Sequence, residues 1–422
     1  TLVQTSAERR HGAAVARGAR PKLSIGMFGN MNNYPLVLAE GFRSLGHDVR
    51  LAVNRQEELH RPESKIHQFR KSYPDWILDC SVLTEEAIAH GTAPLLGRLL
   101  DYFNDESDLV VLNDFGPMLS SSLGKPQLAF LTGSDLTYNA NYQSVDVRTA
   151  CWDQAFRESP RGRRQIEQYS AAVCRHRDGI LAADLVSFGL RGLIPEGDAL
   201  LDSIGVPDAR RTMIMLADTL RLNRKRPAAN DRLRIFNGAR ITWQQTPDRR
   251  FSQQDLKGTD VLLHGFAEYC RRGGQGELRL VRKGFDVERA EQLCGELAIA
   301  GRVVWLPEMD LKRFLEEVVA ADLVCDQLGQ SFPGMVTSDA CALGRPVLAN
   351  LRNEIFGRRY DEPIPGFDAR TPDEVARHLL QLEADREAGV AVGLAGRRFA
   401  ERNWSPTAVA GEILRRLGLL DH

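Results

Sequence analysis

The stretch "SFPGMVTSDACALGRPVLAN", Ser331–Asn350, reads as a loop, a short helix, a tight turn and a strand. Pro333 and Gly334 open it, and Gly344-Arg345-Pro346 end the helix, since neither Gly nor Pro extends a helix well. Ala340, Ala342, Leu343 and the run "PVLA" are packing residues. The front of the helix is different. A helix start leaves N–H groups unpaired and carries the positive end of the dipole. Gly334, Met335, Val336, Thr337 and Ser338 therefore predict a cradle for an anion such as phosphate, with Gly334 allowing close approach. Asp339 is an acidic residue that packing alone does not need.

Outward from this point, strands alternate with helices along the whole chain, which predicts parallel sheets. In the first half the strand signals are "KLSIGMF", "HDVRLAVN", "DLVVLND", "PQLAFLT", "AADLVSFG" and "TMIMLAD". A polar, basic, Pro-containing segment, 219–231, reads as a linker. In the second half "RLRIFNGAR", "ELRLVRKG", "RVVWLP", "DLVCDQ" and "RPVLAN" alternate with amphipathic helices. The expected organisation is a basic tail (1–21), a Rossmann-like domain (22–218), the linker, and a second Rossmann-like domain (232–395). C-terminal helices (396–422) cross back to the first domain. The Arg-rich segment Asp135–Arg177 carries no strand signal and reads as helical, near the mouth between the domains.

A chain of 422 residues has room for two or three domains. Its net charge of -1 sets up no global field for nucleic acid or an anionic membrane. The 7 cysteines are scattered, with no metal-ligand spacing, and an odd count fits reduced thiols and a cytoplasmic setting. No apolar run reaches the roughly 18–20 residues of a membrane helix. The arginines of the tail leave a peripheral membrane contact open.

Facing parallel sheets bind ligands where the carboxyl ends of their strands meet. The segments "NGAR", "KGTDVLLHGFAEY", "LRLVRKG", "RVVWLPEMDLKRFLEEVVAADLVCDQ", the opening stretch and "GRRFAERNWSPTAVAGEIL" follow one another in order. In that order the second half resembles the C-terminal domain of GT-B glycosyltransferases, most closely their large retaining group, family 4. "KLSIGMFGN", "FLTGSDL" and "ADLVSFG" are similar to segments of the acceptor domain of those enzymes. The resemblance implies a nucleoside-diphosphate sugar as co-substrate, no other cofactor and no metal.

The resemblance also assigns residues. Arg240 and Lys257 are similar to the Arg and Lys that clamp the donor phosphates, here separated by the long segment "ITWQQTPDRRFSQQD". Leaving diphosphate accumulates charge, and fixed cations stabilise it. Asp339 stands where the family's second Glu binds the ribose. Ser331 stands where its first Glu contacts the sugar, so Asp326, Gln327 or Gln330 is expected to replace that contact. Main-chain groups of Leu306 and Pro307 are expected beside the base. Gly29 and Asn30 approach the transferred sugar. In "TGSD", Thr132 replaces the family's His, leaving Ser134 and Asp135 as acceptor-side candidates, with Asp135 the one tempting base. The implied reaction is transfer of a hexose-type sugar to an acceptor hydroxyl with retention of configuration. The alternatives are a GT-B-like epimerase or sugar-phosphate synthase, the latter suggested by the arginines of "RESPRGRR" (Arg157–Arg164), and an idle binding homologue. The acceptor and the oligomeric state are not legible in the sequence.

Overall fold

A computed structural model describes residues 22–91, 93–225, 230–245, 255–329 and 332–420. The basic tail, residues 226–229 of the linker and the candidates Gln330 and Ser331 lie outside the described residues.

The first half holds β1 (Ser24–Phe28), β2 (Asp48–Val53), β3 (Ile77–Asp79), β4 (Leu109–Leu112), β5 (Gln127–Phe130), β6 (Leu185–Ser187) and β7 (Arg211–Thr212). They form one parallel sheet in the order β3-β2-β1-β4-β5-β6-β7. The second half holds β8 (Arg234–Asn237), β9 (Glu277–Val281), β10 (Val303–Leu306), β11 (Leu323–Cys325), β12 (Val347–Ala349) and β13 (Phe367–Asp368). Their order is β10-β9-β8-β11-β12-β13, again all parallel. Both sheets are doubly wound, and they face each other across a cleft. Strands such as β4 (LVVL) and β5 (QLAF) are buried along their whole length, which is why they read as apolar runs instead of alternating ones.

In each sheet the strand order reverses once, between β1 and β4 and between β8 and β11. A crevice opens at such a reversal because the two connections leave in opposite directions. The loops there carry Gly29 and Asn30, Asn113 and Asp114, Arg240, and Asp326 and Gln327.

Two parts of the sequence behave differently from their pattern. Thr212–Asp218 reads as a strand, but only Arg211–Thr212 joins the sheet. The rest of that run leaves the sheet as a domain connection: Met213, Met215 and Ala217 pack into a cluster shared with the second domain, and Ala217 N–H bonds the Trp404 carbonyl at 2.8 Å. β3 (ILD) and β13 (FD) are very short strands at the edges of their sheets. The opening stretch forms a helix, Met335–Leu343, with Gly344 left-handed behind it (φ 70°). The final helix, Pro406–Arg416, lies on the first-domain helix Tyr34–Ser44, where Val409, Ala410, Ile413 and Leu414 join the core of that domain.

Candidate active site

The space between the two sheets is a cleft of ≈ 1450 Å³. From the second domain it is lined by Arg240, Gln245, Asp255, Lys257, Gln327 and the segment Phe332–Met335. Arg240 follows β8 and is exposed to the cleft. Lys257 is tied in by its backbone: its N–H bonds the Thr242 carbonyl at 2.7 Å, and its carbonyl accepts from Leu328 at 3.0 Å. Its ammonium donates to Gln327 Oε1 at 3.0 Å. Burial lowers the Lys257 pKa, and the charge of Arg240 adds to that; Asp255 and Asp326 oppose it. The long segment between Arg240 and Lys257 therefore still brings both cations to one cleft.

The front of the Met335–Leu343 helix is partly occupied by the protein itself. Asp326, 2% exposed behind β11, accepts from Gly334 N–H at 2.7 Å, Thr337 N–H at 3.0 Å and the Thr337 hydroxyl at 2.7 Å. Burial raises the Asp326 pKa, while these donors and Lys257 lower it. The Ser338 hydroxyl donates to the Met335 carbonyl. Thus the Thr337 and Ser338 hydroxyls are taken up by the protein, and Met335 is the helix residue that lines the cleft. Gly334 is extended (φ -109°), so left-handed backbone is not its reason. A Cβ there would collide with the Gln327 amide, the group that holds Lys257.

Asp339 does not line the cleft. It is half-buried at the domain junction, and burial pushes its pKa up to about 6 against the attraction of Lys65. Tyr34, from the first domain, reaches Ser338 beside it. Lys65 in turn pairs with Asp218 at 3.3 Å. Leu306 and Pro307 also stand away from the cleft lining; the Leu306 carbonyl accepts from Arg282 N–H at 2.8 Å, and Pro307 has no N–H to offer.

On the first-domain side, Gly29 is left-handed (φ 91°) and a Cβ on it would strike the Asn113 carbonyl. Its close approach is thus to its own sheet. Asn30 is fully buried; it donates to Asn33 and to the His60 carbonyl and accepts from Leu36 N–H at 3.0 Å. Asp135 is 0% exposed and accepts from the N–H groups of Thr132 and Gly133 at 2.8 Å and from Asn113 at 3.2 Å. Burial lifts its pKa to about 6. It holds the turn after β5 together, and it is Ser134, Thr132 and Gly133 that face the cleft.

Sequence reasoning passed over His60, Asn32 and Tyr34, which line the cleft from the loops after β1 and β2. Asn32 is left-handed (φ 53°), and its N–H donates to His60 Nδ1 at 3.0 Å. An accepting Nδ1 places the proton of the neutral ring on Nε2. Burial lowers the His60 pKa, and Arg55 lowers it further. The signal for this pairing was the left-handed Asn32-Asn33 turn, which a sequence does not announce. Among the described residues no three His, Cys, Asp or Glu side chains form a metal-ligand group. No described helix is long and apolar enough to cross a membrane.

No family model matches the chain. D-inositol 3-phosphate glycosyltransferase of Nocardia farcinica is 38% identical over 104 residues, 23% of each chain. The protein of the same name from Rhodococcus jostii is 31% identical over 165 residues, 37% of this chain and 36% of its own. GDP-mannose-dependent alpha-(1-6)-phosphatidylinositol monomannoside mannosyltransferase of Mycolicibacterium smegmatis is 27% identical over 163 residues, 35% of this chain and 41% of its own. The matched regions span well under half the length of these curated relatives. Among solved structures, Anabaena HepE with UDP and glucose superposes with a TM-score of 0.56 at 15% identity, covering 94% of this chain and 100% of its own. Sucrose-phosphate synthase of Thermosynechococcus elongatus gives 0.55 at 15% identity, over 94% and 99%. At such identities the likeness is one of fold, and the fold is GT-B.

Proposed function

We propose that this GT-B-fold chain transfers a hexose-type sugar from a nucleoside-diphosphate sugar to an acceptor hydroxyl, with retention and without a metal. The observation that carries this reading is the convergence of Arg240, Lys257 and the start of the Met335–Leu343 helix on one wall of the cleft. A diphosphate leaving group accumulates negative charge as the sugar departs. Fixed cations and N–H dipoles stabilise that charge with little reorganisation. The helix acts with Asp326 already on part of its N-terminus, so Arg240 and Lys257 carry most of the compensation.

In the transfer, the bond from the anomeric carbon to the diphosphate oxygen breaks, and a bond to the acceptor oxygen forms. The acceptor proton goes to the departing phosphate oxygen on the same face. This course needs orientation and phosphate stabilisation rather than a side-chain base. It is favoured by Asp135, whose carboxylate is sealed from the cleft by its N–H donors. The local likeness to a D-inositol 3-phosphate glycosyltransferase and to a GDP-mannose-dependent mannosyltransferase supports the same reading.

The test is to incubate the protein with UDP- and GDP-sugars and acceptors and to follow release of the nucleoside diphosphate. Proton NMR of the product reads the anomer. Release of an inverted product removes retention; epimer formation without release removes the transferase reading altogether.

A further inference from the structure

The two walls of the cleft differ in chemistry. The second-domain wall carries Arg240 and Lys257. The first-domain wall carries Glu196 but, among the described residues, no Lys or Arg. The arginines near that wall are engaged within the domain. Arg148 pairs with Glu85 and lies between the rings of Tyr138 and Tyr169, Arg177 bonds the carbonyls of Ala140 and Ser203, and Arg55 holds Asp114.

Beside neutral polar groups such as Asn32, Thr132, Ser134 and Gln143, this wall offers apolar side chains. Phe188, Ile194 and Met213 belong to the core and show only their edges to the cleft, with the partly buried Leu200 also in the lining. Of the lining side chains, Leu59 and Val147 are 53% and 63% exposed, and Met335 of the second domain is 42% exposed. Large apolar side chains left in water around one opening mark a surface that something covers. The cleft of ≈ 1450 Å³ also exceeds the roughly 300–1,000 Å³ of an ordinary small-molecule site, so an acceptor body fits beside the donor.

We infer that the acceptor is an uncharged molecule that carries its hydroxyl on an apolar body, and that the first-domain wall selects it. The inference rests on the transferase reading above. A phosphorylated acceptor brings a second multiply charged group next to the donor diphosphate. Phosphate recognition calls for arginine or lysine at the point of contact, and among the described residues this wall presents neither. An apolar body, by contrast, removes the exposed Leu59, Val147 and Met335 side chains from water.

Octyl glucoside, methyl glucoside and glucose 6-phosphate share a sugar ring and differ in apolar body and charge. Each is titrated by calorimetry into the full chain saturated with UDP or GDP, with octyl glucoside kept below its micelle concentration. Octyl glucoside is expected to bind at least tenfold tighter than methyl glucoside, the effect of about two buried methylenes. Glucose 6-phosphate is expected to bind more weakly than methyl glucoside. Val147→Asp, at an exposed position, is expected to cut the octyl preference at least threefold with nucleotide binding unchanged. Equal affinity for the octyl and methyl compounds, tighter binding of glucose 6-phosphate, or an octyl preference indifferent to Val147→Asp overturns the inference. Nucleotide binding separates the two readings. If neither UDP nor GDP raises the melting temperature, the donor reading fails and this one with it. If either does and the glucosides bind alike, the acceptor inference fails alone.

Discussion

Asp326 and Thr337 are joined twice, by the threonine hydroxyl at 2.7 Å and by its backbone N–H at 3.0 Å, both to Asp326 Oδ2. This places a carboxylate at the helix end where the sequence predicts a phosphate. The polar atoms of Thr337, a residue that is itself 0% exposed, therefore serve the fold. Thr337→Val is expected to lower stability by about 1–3 kcal/mol, the cost of leaving a buried carboxylate short of a donor. Nucleotide affinity should stay within twofold of the parent. Urea unfolding and calorimetry measure the two quantities; a variant of parental stability with tenfold weaker nucleotide binding would show that Thr337 faces the ligand.

Arg240 and Lys257 separate by charge state. Arg240→Ala and Lys257→Gln are each expected to weaken nucleoside diphosphate binding by about 10- to 100-fold, the usual worth of a charge-assisted bond to phosphate. Lys257 has its pKa lowered, chiefly by burial, so its cation is lost as pH rises and earlier than for an ordinary lysine. Nucleotide affinity should accordingly fall on the alkaline side in the parent. Lys257→Arg should flatten that limb, because guanidinium keeps its charge. An alkaline limb that persists unchanged in Lys257→Arg assigns it to another group.

His60 offers its Nε2 proton at the cleft because Asn32 N–H already occupies Nδ1. Such a ring donates a hydrogen bond to a hydroxyl and does not withdraw its proton. His60→Ala is expected to lower kcat/KM for the acceptor at least tenfold while leaving nucleotide binding intact. Protonation would set an Nδ1–H against the Asn32 N–H. Because burial and Arg55 depress the His60 pKa, the acceptor-dependent rate should decline on the acid side below the usual histidine range. Steady-state kinetics with varied acceptor across pH check both statements; equal loss in nucleotide binding and acceptor turnover would make His60 merely structural.

The fold was legible because buried parallel strands such as LVVL and QLAF read as apolar runs, and amphipathic helices separate them. The position of Arg240 and Lys257 on the cleft was legible for a similar reason: both follow β8, and the topology carries that strand end to the cleft. Carboxylates were not legible in this way. Asp135 reads as a base and acceptor-side candidate and Asp326 and Asp339 as donor contacts; in the structure Asp135 and Asp326 hold backbone N–H groups, and Asp339 feels the charge of Lys65. A strand-end acid serves a turn or a ligand equally well in sequence. Only the direction of its side chain decides, and that is set by distant neighbours. His60 shows the reverse case. It is 30 residues from Asn30, whose amide it receives on its carbonyl, and no local pattern links them.

His176 is 1% exposed on the helix Pro160–Ala182, beside the Asp135 backbone, which favours the protonated ring. Burial pushes its pKa down to about 3, so the folded protein holds it neutral. The unfolded chain binds its proton near the ordinary value of about 6.5. The stability that goes with neutral His176 is therefore present above about 6.5 and is lost as pH falls toward 3. Asp135 has the opposite sign. Its folded pKa of about 6 lies above the ordinary carboxyl value, so its contribution is present below about 4 and lost as pH rises to 6. Replacing one group isolates its slope, because the other cancels in the difference between variant and parent. His176→Leu removes a buried polar ring and its titration. Relative to the parent it is expected to gain about 2 kcal/mol more at pH 5 than at pH 8, from the 1.5-unit distance below about 6.5 at roughly 1.4 kcal/mol per unit. Urea unfolding of both proteins at the two pH values gives the number. A difference between them that does not change with pH would mean that His176 titrates alike in the folded and unfolded chains.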